Sequence, residues 1–297
     1  MKVAAAAYPL DWFDDWSTYE AKISAWVAEA AGQGAELLVF PEYAAMELAS
    51  LGGQAVAGDI AGALVEVDRH RPAAEALHAR LAAAHGVHIL AASGPAFGLA
   101  HAGGRPVNRA SFFGPNGLLG HQDKAMMTRW ERDGWHVVPG DGLQVFDTAL
   151  GRIGILICYD SEFPLLGRAL AEAGVEILLV PSATETLAGF TRVRVGAMAR
   201  ALENQLVAVH APIVGVAHWC YGMEENTGAA SIYGPPDHGF PATGILAEGT
   251  FGQPGWTYAE VSREAIAAVR ADGGVLNLSH WPEQLSQLHK VAVRAET

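Results

Sequence analysis

"GRIGILICYDSEFP" occupies residues 151–164, and how it is read decides the fold. Its apolar run 153–157 leads straight into Cys158, and Asp160 and Glu162 follow within four residues. A short apolar run bounded by glycine and a polar turn suits a buried strand. The pattern that follows, FPLLGRALAEA (163–173), has helical spacing. A strand that stops at a cysteine just before a helix leaves two readings of that cysteine. It is a buried core thiol, as free cysteines often are. Alternatively it is a nucleophile at the edge of a site, where the positive end of the helix dipole favours thiolate.

Upstream, RASFFG, LLGHQ and LQVFDT read as strands joined by turn-rich connections. Downstream, EILLVPS (176–182), a helix at about 190–203 and LVAVHAP (206–212) alternate. Shorter strands near ASIYG, TGILAEG and WTYAEV follow, then a short helix from Ser262. The first third reads β-α-β-α-β. KVAAAAY leads to a helix with capping-box spacing at Ser17–Glu20 and apolar residues Ile23, Trp26, Val27, Ala30 and Ala31, closed by Gly32 and Gly34. ELLVF (36–40), an alanine-rich helix at about 73–85 ending at Gly86, and VHILAAS (87–93) complete it. Mixed helices, strands and hairpins predict an α/β protein with two mixed β-sheets packed face to face and covered by helices. A doubly wound single sheet is the rival, and pattern alone leaves it standing. One domain over 1–275 is expected, with a tail, 276–297, that packs on its own subunit or at an oligomer interface.

Composition narrows the function. The chain has 297 residues, 51% hydrophobic and 17% charged, enough for a large core. A net charge of −13 leaves no basic excess for nucleic acid or for an anionic membrane surface. No apolar run approaches the roughly 20 residues of a membrane span. The opening MKVAAAAYPLDW is broken by Pro9 and Asp11, so it reads as a strand rather than a leader. Two cysteines, Cys158 and Cys220, make no disulfide framework and no zinc spacing, and a cytoplasmic location is expected.

Ionisable residues at the ends of apolar runs are the candidates for chemistry. Glu42 follows ELLVFP, where α/β proteins open ligand crevices, although an exposed loop glutamate would read the same. Lys124 lies just past LLGHQ and, taken alone, is solvated surface. Glu131, among two arginines and two tryptophans, reads in isolation as half of a surface ion pair. His78, His85 and His88 straddle a helix end, and neither they nor His210, His218 and Cys220 carry a metal-site spacing, so no metal is expected. No GxSxG elbow, Walker loop or dinucleotide fingerprint is present.

Taken in order, LLVFPEY, HQDKAMMTRWE and GILICYDSEFP resemble the three signature segments of the nitrilase superfamily, the carbon–nitrogen hydrolases. MARALENQ (198–205) and GAASIYGPPDHG (228–239) are similar to further segments of that family, so the resemblance covers roughly residues 1–270. It implies a four-layer αββα sandwich, a homodimer paired through helices, no cofactor, and a small-molecule amide as partner. It further implies Glu42 as general base, Lys124 as electrostatic partner and Cys158 as nucleophile. Glu131 matches a second glutamate that holds substrate nitrogen or orients Lys124, and the backbone N–H of Tyr159 serves the oxyanion.

Within the resemblance, Cys158-Tyr159-Asp160 is similar to the amidase-like branches rather than to the Cys-Trp-Glu of nitrilases. Amide hydrolysis, with release of ammonia or an amine, is therefore expected. Carbamoyl or nitrile hydrolysis and a non-catalytic scaffold are the alternatives, and a zinc hydrolase using the histidines is a third. Branches that take carboxylate-bearing substrates place an arginine four residues after the cysteine, where this chain has Glu162. Acidic amides are expected to be poor substrates unless Arg129, Arg192 or Arg194 supplies a cation. Glu162, Asp160 and Arg129 are the pocket candidates.

Overall fold

Strand β1 (Lys2–Pro9) buries both of its faces, and that sets the architecture. Val3, Ala5 and Ala7 join one apolar cluster, while Ala4, Ala6 and Tyr8 join another on the opposite face. Side chains alternate along a strand, so a strand without a polar face must be covered on both sides. The structure, a computed structural model, describes residues 1–294.

The remaining strands are β2 (Leu37–Val39), β3 (His88–Leu90), β4 (Gly94–Ala96), β5 (Val107–Gly114), β6 (Gly117–Asp123) and β7 (Val145–Thr148). They continue with β8 (Gly151–Ile155), β9 (Ile177–Ser182), β10 (Val207–Val216), β11 (Glu225–Asn226), β12 (Ser231–Tyr233), β13 (Ile245–Glu248) and β14 (Gly255–Glu260). The helices are α1 (Trp16–Gly32), α2 (Gln54–Ala57), α3 (Ile60–His85), α4 (Pro164–Glu172), α5 (Leu187–Asn204), α6 (Arg263–Asp272) and α7 (Asn277–His280). The strands form one mixed, fourteen-stranded system ordered β4-β5-β3-β2-β1-β10-β9-β8-β7, with the others attached along it. Strand pairing joins its two halves where β1 runs parallel to β10, at Tyr8–Ile213 and Pro9–Val214. One cluster draws Leu37, Val39 and Phe112 from the first half and Ile153, Ile177 and Val207 from the second. Phe112 and Phe146 touch edge to face at 5.2 Å within it. The other cluster packs the first half against α1 and α3 through Ile23, Val27, Val67 and Leu77.

Several boundaries differ from those read in the sequence. Helix α1 is capped by Asp15, whose carboxylate accepts the N–H of Thr18, two residues ahead of the expected Ser17. Helix α3 begins at Ile60 rather than near 73 and carries Pro72 inside it. Its buried residues Ala63, Leu64 and Val67 lie before the proline and Leu77, His78 and Ala82 after it, so packing on both sides holds the helix together across the missing N–H. Gly86 ends it in the left-handed conformation, φ 66°. Strand β10 runs on to Val216, and α5 starts at Leu187 behind a Thr186 cap.

Strand β8 closes at Ile155 instead of running to Cys158. The tail docks first on its own chain: Leu278 donates to Gln205 Oε1 at 3.1 Å, and its carbonyl accepts from Arg168 at 3.1 Å. The Arg168 guanidinium lies 4.9 Å from the Trp281 ring centroid. The last expected tail residues, 295–297, lie outside the described residues.

Candidate active site

Three strand ends and the turns beyond them bring the signature residues together. Glu42 follows β2, Lys124 follows β6, and Cys158 follows β8 across a short turn. Glu42, Lys124, Glu131 and Cys158 all line one cleft of about 620 Å³. Lys124 Nζ donates to Glu42 Oε1 and to Glu131 Oε2, each at 2.7 Å, and all three side chains are buried. The solvated-lysine and surface-ion-pair readings of Lys124 and Glu131 therefore fail: the pair is internal.

The two glutamates differ in what surrounds them. Glu131 also accepts the Tyr43 hydroxyl at 3.0 Å and both the N–H and the hydroxyl of Thr128 at 2.9 Å. Against the cost of burial, Lys124 and these donors hold its carboxyl below the usual glutamate range. Glu42 accepts Asn108 Nδ2 at 3.0 Å and the Ala183 N–H at 2.9 Å. Burial dominates there and, with the Glu131 charge adding to it, raises the Glu42 carboxyl above its usual value although Lys124 opposes. Lys124 is penalised by burial, yet Glu131 and Glu42 push it well above the ordinary lysine value, so it stays an ammonium. Two carboxyls on one cation with unequal affinities for a proton is an arrangement that separates an acid–base group from a purely electrostatic one.

Cys158 takes a left-handed backbone, φ 51°, at the start of a tight 3-10 turn over Cys158–Glu162. Such a conformation is uncommon outside glycine and presents the side chain off the end of the sheet. Its Sγ lies 3.8 Å from the Ala183 carbonyl oxygen. Burial and the nearby Glu42 carboxylate push the thiol well above its usual range, with Lys124 opposing. The helix dipole was expected to favour thiolate. The structure instead places Cys158 six residues ahead of α4, and burial, the largest influence on it, favours the neutral thiol. The N–H of Tyr159 donates to no protein group among the described residues, and its side chain lines the cleft.

The other pocket candidates separate. Glu162 lines the cleft and faces Arg192 at 3.6 Å. Asp160 does not line it. The carboxylate is wholly buried and accepts the N–H groups of Met126 at 2.7 Å, Ala125 at 3.2 Å and Ile157 at 3.1 Å. It thereby ties the segment after Lys124 to the segment before Cys158. Arg129 also leaves the site: its side chain is 96% exposed and faces Asp133 at 4.0 Å. Arg194 pairs with Glu248 at 2.7 Å.

Asn108, Tyr43 and Thr128 were not singled out from the sequence. Tyr43 was visible as the neighbour of Glu42, and Asn108 as a polar side chain in the apolar strand VNRASFFG. Ser93 was not visible at all, yet its hydroxyl donates to Asn108 Oδ1 at 2.7 Å and orients that amide. The histidines go elsewhere. His78 stacks on Phe113, and His210 is buried against Phe190 with Nε2 2.8 Å from the Ser182 hydroxyl. Among the described residues, no three His, Cys, Asp or Glu side chains converge to hold a metal ion, and no helix is long and apolar enough to cross a membrane.

Comparison with known proteins adds a lineage to this geometry. The carbon–nitrogen hydrolase family model matches residues 2–271. "Probable hydrolase YhcX" of Bacillus subtilis is 35% identical over 175 residues, which are 59% of this chain and 34% of that protein. The chain thus matches about a third of that relative's length. Nit3 of Saccharomyces cerevisiae, described as a member of branch 10 of the nitrilase superfamily, superposes with a TM-score of 0.71 at 19% identity, over 91% of this chain and 93% of that one. An amidase from Nesterenkonia sp. AN1, solved as a double mutant in complex with acrylamide, gives 0.66 at 23% identity, over 91% and 94%.

Proposed function

The chain belongs to the carbon–nitrogen hydrolase family of the nitrilase superfamily, and from that premise we propose that its cleft hydrolyses a small amide through a thioester on Cys158. The observation that carries this reading is the buried Glu42–Lys124–Glu131 relay beside a cleft-facing thiol. Amidase chemistry is further supported by the acrylamide complex of the Nesterenkonia amidase.

Because the resting thiol is neutral, attack needs a base, and Glu42 is the carboxylate with the raised proton affinity. Cys158 Sγ adds to the amide carbon as its proton passes to Glu42. The carbonyl oxygen becomes an oxyanion. Lys124 has three N–H donors and spends two on Glu42 and Glu131, which leaves the third for that oxygen. The unengaged Tyr159 N–H is the second donor. The intermediate collapses as the protonated Glu42 gives its proton to the departing nitrogen, releasing ammonia or an amine. Water, deprotonated by Glu42, then attacks the thioester, and the acid leaves as Cys158 regains its proton. Glu131 is too fully hydrogen-bonded to exchange protons and serves to hold Lys124 in place and charged.

The same reading takes the two sheet halves as the inner layers of a four-layer αββα sandwich, supported by the cluster they share around Phe112 and Phe146. It takes residues 1–275 as one hydrolase domain that acts as a homodimer. The test is ammonia release from primary amides, carbamoyl compounds and nitriles, with Cys158→Ala run beside wild type. Release from amides that vanishes in the variant supports the reading. Release only from nitriles or carbamoyl compounds, or release that survives the substitution, overturns it.

A further inference from the structure

Outside the catalytic relay, the charged side chains lining the cleft are Glu162, Glu185, Glu224, Glu225 and Arg192. Four acidic residues and one arginine therefore line it. Of the three arginines that could have received a substrate carboxylate, Arg129 points to solvent and Arg194 is taken by Glu248. Arg192 alone reaches the cleft, and it stands 3.6 Å from Glu162, four residues past Cys158. Glu162 keeps only 20% of its side chain exposed, whereas Arg192 is 64% exposed. The carboxylate is thus the more buried of the two, and the guanidinium lies against it at the mouth of the cleft. Glu185, Glu224 and Glu225 make no ion pair among the described residues, so their charges are not cancelled. The aromatic residues Tyr159, Trp130, Trp135 and Tyr221 line the same cleft, and such rings attract cations when one lies over a face.

We infer that Glu162 sets the charge selectivity of the cleft: by holding Arg192 it withholds the one available cation from substrate carboxylates, so that the site takes amides bearing an amine and rejects amides bearing a carboxylate. This rests on the proposed amidase reading and names the substrate class within it. The physical lever is one unit charge at close range. At about 6 Å, in a dielectric between that of a protein surface and water, it changes affinity by about tenfold. Removing the carboxylate acts twice for an anionic substrate, because a repulsion is lost and Arg192 is freed as a donor pair.

The experiment uses three amides of similar length and different charge: butyramide, γ-aminobutyramide and succinamate. Turnover is measured with the full chain, and binding is measured by calorimetry with Cys158→Ala, so that selectivity is read whether or not the compounds react. The wild-type order is expected to be γ-aminobutyramide, butyramide, succinamate. In Glu162→Gln the succinamate-to-butyramide ratio rises about tenfold and the γ-aminobutyramide advantage shrinks. In Glu162→Gln with Arg192→Gln the part of the succinamate gain that comes from the freed guanidinium disappears, and the gain is smaller than in Glu162→Gln alone. Binding with this charge order but without turnover would count against the hydrolysis reading and leave the selectivity intact. Three results overturn the inference: ratios unmoved by Glu162→Gln, a gain undiminished by loss of Arg192, and binding to Cys158→Ala that is absent or favours succinamate.

Discussion

Glu42 Oε1 and Lys124 Nζ meet at 2.7 Å in a place where each side chain keeps 2% or less of its surface, although 82 residues separate them in the chain. Neither charge could be buried there alone: Lys124 is held charged by Glu42 and Glu131, and Glu42 by Lys124 and the Asn108 and Ala183 donors, with the Glu131 charge working against it. The contact therefore holds two strand ends together and also sets the protonation of the site.

The acid limb of activity should report Glu42. Its carboxyl is raised by burial and by the Glu131 charge, and it must be ionised to take the thiol proton. Activity is expected to appear, as pH rises, above the usual glutamate range. Glu131→Gln removes one of the two raising influences and should move that limb to lower pH. Glu42→Gln should lower kcat by about 100- to 10,000-fold with KM little changed. Profiles of kcat/KM against pH for the three proteins check this.

Thiol chemistry should separate ionisation from catalysis. The Glu42 charge raises the Cys158 thiol while Lys124 lowers it. Glu42→Gln should therefore shift the midpoint of alkylation by iodoacetamide to lower pH, even as turnover collapses. A midpoint that moves up instead would remove Glu42 as the charge acting on the thiol.

Lys124→Met should be a stability variant before it is a catalytic one. It strands Glu42 and Glu131 beside each other without a cation, at a cost of about 3–5 kcal/mol. Adding Glu131→Gln should recover part of that loss. Urea midpoints of the single and double variants give the comparison.

Asp160 should carry a pH signature of its own. Burial holds its carboxyl at about 7, above the usual 3.8, against the pull of Lys124 and three backbone N–H groups. The native state then binds this proton more tightly than the unfolded chain does. Its contribution to stability is full below 3.8 and is lost as pH rises through about 7. Asp160→Asn abolishes that slope. It also turns an amide hydrogen toward one of the donors, costing about 1–3 kcal/mol. Unfolding midpoints at mildly acidic and at neutral pH test both effects.

Phe112→Ala should cost about 3–5 kcal/mol, because the ring is fully buried where the two sheet halves share a cluster. A loss below about 1 kcal/mol, read by denaturant unfolding, would mean that the halves do not pack through this ring.

Much of this was legible in advance, for definable reasons. Strands such as KVAAAAY and EILLVPS carry their own apolar runs, and Gly86 closes its helix locally, so near neighbours in sequence suffice to read them. Helix α3 was half missed because Pro72 looks like a boundary and only packing against the sheet and the Ala44–Gly52 segment shows otherwise. Arg129 and Asp160 look alike in sequence, each a charged residue near a signature motif. One faces solvent and the other lies wholly inside the protein, because the turns that follow Lys124 and Cys158 aim them differently.

By itself the sequence determined the family resemblance, the α/β class and the order Glu42, Lys124, Cys158, since these rest on short segments and on the spacing of apolar residues. Tertiary structure alone decided that Glu42 and Glu131 share the buried Lys124, that burial favours the neutral form of the Cys158 thiol, and that Glu162 faces Arg192. Each of those is set by burial and by charges brought within a few ångströms from distant parts of the chain, and a linear sequence does not contain the distance between them.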